Sequence, residues 1–355
     1  MQLIDSAEPA RTGEELDASR LLPFLREAIP GLEGELEILQ FPSGFSNLTY
    51  LVTCGDREMV IRRPPFGSKP KSGHDMKREF TILSALQDSF PYCPAPLLYS
   101  DDTSILGAPF FVMERLRGTI IRRSLPPGSE MSPSQIRALF DRLIDVFVEL
   151  HSLDPDSVGL SEFGRAAGYV ERQIEGWSRR FRRARTPDVP DFESVMAWLA
   201  EKMPAAGERG RVIHNDFRLD NVVLDPNDHS RIIGVLDWEM ATIGDPLMDL
   251  GASLAYWIQA DDPRELLSMR LMPTHLEGAP TRAEVVERYA ERSGLDVGAF
   301  DFYYCYGLFR LAGIGQQIYY RFYNGQTRDP RMGIFGHATA LLERAALGVI
   351  ERSDL

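Results

Sequence analysis

The run "VIHNDFRLDNVVL", residues 212–224, sets His214, Asp216, Arg218, Asp220 and Asn221 between two apolar stretches. Turns between strands are usually built from Gly, Pro, Asn, Asp and Ser for conformational reasons. This one is too rich in charge for that purpose. After a turn at "DPNDHS" the chain continues as "RIIGVLDWE", ending in Asp237 and Glu239. If the two apolar segments pair antiparallel, Asn221 and Asp237 arrive at the same end of one hairpin. An amide and a carboxylate placed together there offer oxygen ligands to a hard cation such as Mg²⁺. Asp216, one loop-width away, is placed to take a proton from a hydroxyl. Phosphoryl transfer requires such a set: metal ions on the phosphates, a carboxylate for the nucleophile and a cation for the moving group.

The elements that must position these residues fall into two parts. Residues 1–16 read as a loose polar tail. Residues 17–29 read as a helix with Leu21, Leu22, Leu25 and Ile29 apolar. "ELEILQF" (35–41), "LTYLVTC" (48–54) and "EMVIRR" (58–63) read as strands, the last two joined by the hairpin signal "GD". A loop, "PPFGSKPKSGH", leads to a helix from about Asp75 to Leu86, then to a strand at 109–116. Beyond "RGT" the pattern turns helical. "SPSQIRALFDRLIDVFVELHSL" has Ser132 as N-cap and Pro133 at the first helical position. The expected fold class is α+β: a small β-rich lobe over 17–115 and a larger helical lobe over 116–355, with a cleft between them.

"HNDFRLDN" resembles the catalytic loop H-R-D-x-K-x-x-N of protein-kinase-like enzymes, and "LDWE" takes the place of D-F-G. With "GDPLMDLG" following, the chain is most similar to the aminoglycoside phosphotransferase family of small-molecule kinases, from about Leu36 to about Arg344. The resemblance implies Asp216 as catalytic base, Asn221 and Asp237 as metal ligands, and Arg218 on the γ-phosphate. Mg²⁺ and ATP or GTP are implied with them. Asn215 departs from the pattern. So does Glu239, which stands where D-F-G has its glycine; a glycine-hinged flip is therefore not expected, and Glu239 would reach the metal through water.

In the small lobe, Glu79, Ile82, Leu83 and Leu86 share one helix face, which carries Glu79 into apolar surroundings. A buried carboxylate there needs a partner. Arg62 shares a strand face with Val60 and stands where the kinase lysine would be, so Arg62–Glu79 is the expected pair. Arginine is a planar fork rather than a point charge, so its phosphate contacts would differ from those of lysine. "PSGFSNLTY" would cover the phosphates with Gly44 as its only glycine and Ser46 and Asn47 as donors. "FFVMER" resembles the hinge; adenine would bond the backbone near Glu114 and Leu116, with Met113 behind the base.

Other polar residues have structural readings. Asp245 before Pro246 is an N-cap, and Asp249, by the resemblance, braces the catalytic loop. His214 locks that loop by hydrogen bonding. His151 reads as a helix C-terminal residue favoured by the dipole. "WSRRFRRAR" (177–185) reads as a solvated arginine face behind Ile174, Trp177 and Phe181, or as an anion site for a phosphorylated or coenzyme A-linked substrate. "FDFYYCYGLFRLAGIGQQIYYRFY" reads as a buried helix in which Arg310 and Gln317 need partners or face the substrate.

"FVMERLRGT", "ERQIEGW" and "FRLAGIGQQ" resemble the branch of the family also found fused to acyl-CoA dehydrogenase modules. A hydroxyacyl-CoA is then a candidate acceptor and an aminoglycoside the alternative. A nucleotide-binding scaffold without turnover is the rival reading. A protein kinase is disfavoured, because "LDWEMATIGDPLMDL" leaves no room for a long activation segment. The net charge of −13 over 355 residues argues against a general nucleic-acid partner. Cys54, Cys93 and Cys305 form no disulfide or zinc pattern. No signal peptide or membrane span is expected, and a reducing cytoplasm is the default compartment.

Overall fold

The computed structural model describes residues 6–42, 47–67, 75–204 and 210–355. In chain order the first elements are α1 (Ala18–Ala28), β1 (Leu36–Gln40), β2 (Leu48–Cys54), β3 (Arg57–Arg63), α2 (Met76–Leu86), β4 (Pro96–Ser100), α3 (Thr103–Leu106) and β5 (Phe110–Glu114). Then come α4 (Pro133–Ser152), α5 (Tyr169–Arg183), α6 (Glu193–Glu201), β6 (Arg211–Ile213), β7 (Val222–Leu224), β8 (Ile232–Val235) and β9 (Thr242–Gly244). The chain ends with α7 (Pro246–Leu254), α8 (Arg264–Met269), α9 (Arg282–Ser293), α10 (Phe300–Tyr323) and α11 (Ile334–Arg352).

Internal contacts divide the chain into two compact units. One comprises Met1–Ile120 with Asn221–Ala241, the other Ile121–Asp220 with Thr242–Leu355. The grouping differs from a single break at 115/116, because the β7–β8 hairpin joins the first unit.

In that unit an antiparallel sheet runs β1-β2-β3-β5-β4. β2 alternates buried and half-buried residues, and Tyr50, Val52 and Ile61 turn to the face that α1 covers with Leu21 and Leu25. Arg62, one residue on from Ile61, turns to the opposite face, toward α2. Asp75 caps α2 by accepting from Arg78 N–H. β4 has no counterpart in the sequence reading: Pro94 precedes it and Pro96 opens it, and it lies at the sheet edge where proline is tolerated. The expected loose tail is also corrected. Glu8 pairs with Gln40 through both backbone bonds (2.9 and 2.7 Å), and Tyr50 donates its hydroxyl to the Glu14 carbonyl (2.6 Å). Residues 1–5 lie outside the described residues.

The segment after β5 crosses the β7–β8 hairpin closely enough to require glycine at position 118 and to leave little room at position 234. A Cβ on Gly118 would lie 2.3 Å from the Leu224 carbonyl oxygen, and one on Gly234 2.1 Å from Leu116 Cδ1. Thr119 and Leu224 exchange backbone bonds of 2.9 and 2.8 Å at this crossing.

The second unit is built on α10, which packs against α5, α7 and α11. Its residues from Phe302 to Gln316 are mostly buried, while its last turn is exposed. Ser132 and Gln135 form a capping box on α4, and Asp245 caps α7 ahead of Pro246, as read from the sequence. α7 and α10 meet backbone to backbone: a Cβ on Gly307 would lie 2.0 Å from the Gly251 carbonyl oxygen. Gly307→Ala is therefore expected to push the helices apart and cost about 1–3 kcal/mol. Calorimetry should show a lower Tm, and an unchanged Tm would mean that the crossing is not tight.

Candidate active site

Arg62 is 7% exposed and Glu79 2% exposed. They form the expected pair, Nη1 to Oε1 at 2.7 Å. Arg62 Nη2 also donates to Asp237 Oδ1 at 3.0 Å and lies 3.5 Å from Glu239 Oε2. One guanidinium thus gathers three carboxylates from α2 and from the end of β8. Burial pushes the Glu79 carboxyl upward, and Asp237 and Glu239 add to that against the pull of Arg62. Burial works against the Arg62 cation, but Glu79, Asp237 and Glu239 outweigh it and keep the group protonated. Trp238 N–H bonds to Glu79. Asn47 donates Nδ2 to Glu239 at 2.6 Å, so that donor is turned to a carboxylate. Gly44 and Ser46 lie outside the described residues.

The β7–β8 register pairs Val222 with Val235, and Leu236 N–H donates to the Asn221 carbonyl at 2.8 Å. Asn221 and Asp237 therefore stand at the same end of the hairpin. Among the described residues only Phe192, Asn215 and Asp237 have positive φ without being glycine, and the last two flank the chemistry read from the sequence. Such a conformation stores about 1–3 kcal/mol where bulky side chains adopt it, and Asn and Asp tolerate it best. This is a physical reason for Asn at position 215, whose φ is 65°.

The loop that carries His214, Asn215 and Asp216 is braced within the second unit. Asp249, fully buried, accepts His214 N–H at 2.6 Å and Asn215 N–H at 2.9 Å. His214 Nδ1 accepts Asp216 N–H at 3.2 Å, the locking role expected for it. The dipole reading of His151 is corrected: although it sits in the last turn of α4, it is buried and bridges Asp249 Oδ2 (3.2 Å) and the Tyr289 hydroxyl (2.7 Å). With Nε2–H donating to the carboxylate, Nδ1 accepts from the Tyr289 hydroxyl, so both ring nitrogens of His151 are satisfied. His151→Phe leaves a buried carboxylate oxygen and a buried hydroxyl each short of a partner. It is expected to cost about 1–3 kcal/mol and to lower kcat, as read by urea unfolding and initial rates. Full stability would show that the bridge is dispensable.

Arg218 Nε lies 3.1 Å from Asp216 Oδ1, and Nη2 3.4 Å from Asp220 Oδ2. Its guanidinium rests over the Tyr256 ring at 4.4 Å. Burial acts against the cation, but Asp216 and Asp220 outweigh it and raise its pKa. Burial raises Asp220 in turn, opposed by Arg218. Arg310, 5% exposed, donates Nη2 to the Asn215 carbonyl at 2.8 Å. Gln317 bonds within its own helix, to Gly313 O at 3.0 Å. Tyr169 donates to Asn215 Oδ1 at 3.2 Å, a contact the sequence did not suggest.

At the segment read as a hinge, Met113 is buried in β5 and Glu114 N–H is taken by the Ala95 carbonyl at 2.8 Å. Leu116 N–H has no hydrogen-bond partner among the described residues, which makes it the available donor. Among the described residues no three His, Cys, Asp or Glu side chains cluster as a metal cage. A Mg²⁺ site does not need one, since that ion keeps waters and phosphate oxygens and takes one or two protein ligands. The donor set fits such an ion: Asn221 and Asp237 carry side-chain oxygens of the kind it takes, and Glu79 Oε2 is buried without a hydrogen-bond partner beside a local surplus of carboxylates.

A family model described as "Phosphotransferase enzyme family" matches residues 37–285. Human acyl-CoA dehydrogenase family member 11 is 32% identical over 364 residues, an alignment covering 98% of this chain and 46% of the relative. The chain thus spans less than half the length of that relative. A solved structure from Ralstonia eutropha JMP134, provisionally named an aminoglycoside phosphotransferase, is 27% identical with a TM-score of 0.83, covering 96% of this chain and all of that one. Choline kinase from Cryptosporidium parvum is 12% identical with a TM-score of 0.61, over 94% of this chain and 96% of its own, a likeness of fold alone. The fold is the bilobal α+β fold of protein-kinase-like enzymes. Among the described residues no helix is long and apolar enough to cross a membrane.

Proposed function

The chain belongs to the phosphotransferase enzyme family, and on that premise we propose that it moves the γ-phosphoryl group of ATP or GTP to a hydroxyl of a small molecule. Residues 17–115 would cover the nucleotide and 116–355 carry the catalytic loop and the acceptor. Asp216 would accept the hydroxyl proton, and Arg218 would offset charge on the transferring group. Asn221 and Asp237 would hold Mg²⁺, which neutralises phosphate charge when bound. Arg62 would keep Asp237 oriented, and Glu239 would reach the metal site through water. The base of the nucleotide would bond the backbone near Glu114 and Leu116, with Met113 behind it.

The observation that carries this reading is the placement of Asn221 and Asp237 at one hairpin end, with Asp237 tied to the buried Arg62–Glu79 pair at 3.0 Å. Nucleotides bind to metal and backbone in this way when phosphoryl chemistry is all positioning and electrostatics. Its test is nucleotide turnover over an acceptor panel of hydroxyacyl-CoAs, sugars and aminoglycosides. Acceptor-stimulated phosphate transfer supports the reading. Nucleotide binding with no transfer to any acceptor would instead mark a scaffold.

A further inference from the structure

The arginines of 179–185, on the last turns of α5 and just beyond it, differ in their partners. Arg179 pairs with Glu175 (3.2 Å), Arg182 with Glu193 (2.6 Å) and Arg185 with Asp191 (3.1 Å). Those pairs neutralise three of the five arginines, while Arg183 is exposed and has no ion pair among the described residues. Arg180 turns the other way. Its guanidinium lies 4.0 Å over the Trp177 ring, and no carboxylate pairs with it among the described residues. Arg310, on α10, reaches the same indole at 5.7 Å, and it too has no ion pair among the described residues. Two guanidiniums therefore share one aromatic ring without a bound counter-charge.

The position of this pair ties it to the chemistry. Arg310 donates to the carbonyl of Asn215, the residue before Asp216. Tyr306, Tyr256, Asp216 and Tyr169 surround Arg310, so the only carboxylate near it among the described residues is the one at the proposed chemistry, and it does not reach ion-pair distance. Burial works against the Arg310 cation, but Tyr306, Tyr256 and Asp216 outweigh it, and no carboxylate pairs with it directly among the described residues. Arg180, by contrast, is exposed. Guanidinium forks bind carboxylate and phosphate through paired N–H donors. A polycation would meet like charge at the same place, which disfavours it.

We infer that Trp177, Arg180 and Arg310 form the acceptor-recognition site, and that the acceptor carries a carboxylate or a phosphate in addition to the hydroxyl that is phosphorylated. The inference rests on the kinase reading above and narrows its acceptor class. An acidic group held by the two arginines would set the hydroxyl toward Asp216, with the indole beneath the guanidiniums fixing their position.

The test is calorimetric binding to the full chain, with four probes: 3-hydroxybutyrate, its coenzyme A thioester, its uncharged methyl ester, and kanamycin. The acid probes separate a carboxylate from a phosphate-bearing carrier. At least one of them should bind about 10-fold or more tighter than the ester, and kanamycin should bind no better than the ester. Arg180→Gln and Arg310→Lys should erase that preference. Arg179→Gln, whose side chain is already paired with Glu175, should leave binding and turnover as they were. Arg180 lies at the surface, so its variant folds even if the Arg310 variant does not. The inference is overturned if neither anionic probe binds, if ester and kanamycin bind as tightly as the acids, or if the preference survives Arg180→Gln. An anion preference without transfer to any probe would remove the kinase reading and keep the site. Equal transfer to the ester or to kanamycin would keep the kinase reading and remove the site.

Discussion

Asp216→Asn is expected to lower kcat by about 100- to 10,000-fold, the range that a positioned general base contributes. The substitution is nearly isosteric. It keeps one oxygen for Arg218, which lies 3.1 Å from the carboxylate, and keeps the backbone bond to His214. It removes the ability to accept a proton. Binding of the nucleotide should therefore change little, and the loss should appear in kcat rather than in KM for ATP or GTP. Initial rates of phosphate transfer with the preferred acceptor measure it. A variant retaining more than a tenth of the activity would assign proton transfer elsewhere, and His214 is a poor substitute because its Nδ1 already accepts Asp216 N–H.

Arg62→Met is expected to be the most destabilising single change in the first unit. It strips the counter-charge from Glu79, Asp237 and Glu239 at once. Removing one partner of a buried pair costs about 3–5 kcal/mol, because the remaining charge stays buried without compensation. Urea unfolding should show a lower midpoint. The double variant Arg62→Met with Glu79→Leu should recover part of that loss, since it removes the carboxylate that has least access to water. No recovery in the double variant, or a loss under about 1 kcal/mol in the single one, would mean that the three carboxylates are screened by water rather than held by Arg62.

Much of the candidate site was legible because its cues are local. The spacing of Asn221 and Asp237 on either side of a turn, together with strand pairing, is enough to bring them to one hairpin end. The period of Glu79, Ile82, Leu83 and Leu86 is enough to bury the carboxylate and demand Arg62. Caps at Ser132 and Asp245 are written in two or three neighbouring residues. The rest depends on partners far apart in sequence. His151 looked like an ordinary helix end because Asp249 is 98 residues away and Tyr289 138. The arginine run looked uniform because Glu193 and Asp191, which neutralise its outer members, belong to the next helix and the turn before it. The tail looked loose because short polar segments carry no pattern, whereas its pairing with Gln40 is made through backbone atoms that every sequence has. β4 escaped notice for a related reason: prolines mark turns in sequence but are equally at home on a sheet edge.

The measurement that bears most directly on the proposed chemistry is Mn²⁺ binding, followed by electron paramagnetic resonance, in the presence of a non-hydrolysable ATP or GTP analogue. Wild-type protein should bind Mn²⁺ with the nucleotide. Asp237→Ala should weaken that binding by about 10- to 100-fold, as loss of a metal-site partner does, while Asp216→Asn should bind it as the wild type does. Equal Mn²⁺ affinity in Asp237→Ala and wild type would contradict the assignment of the hairpin end as the metal site.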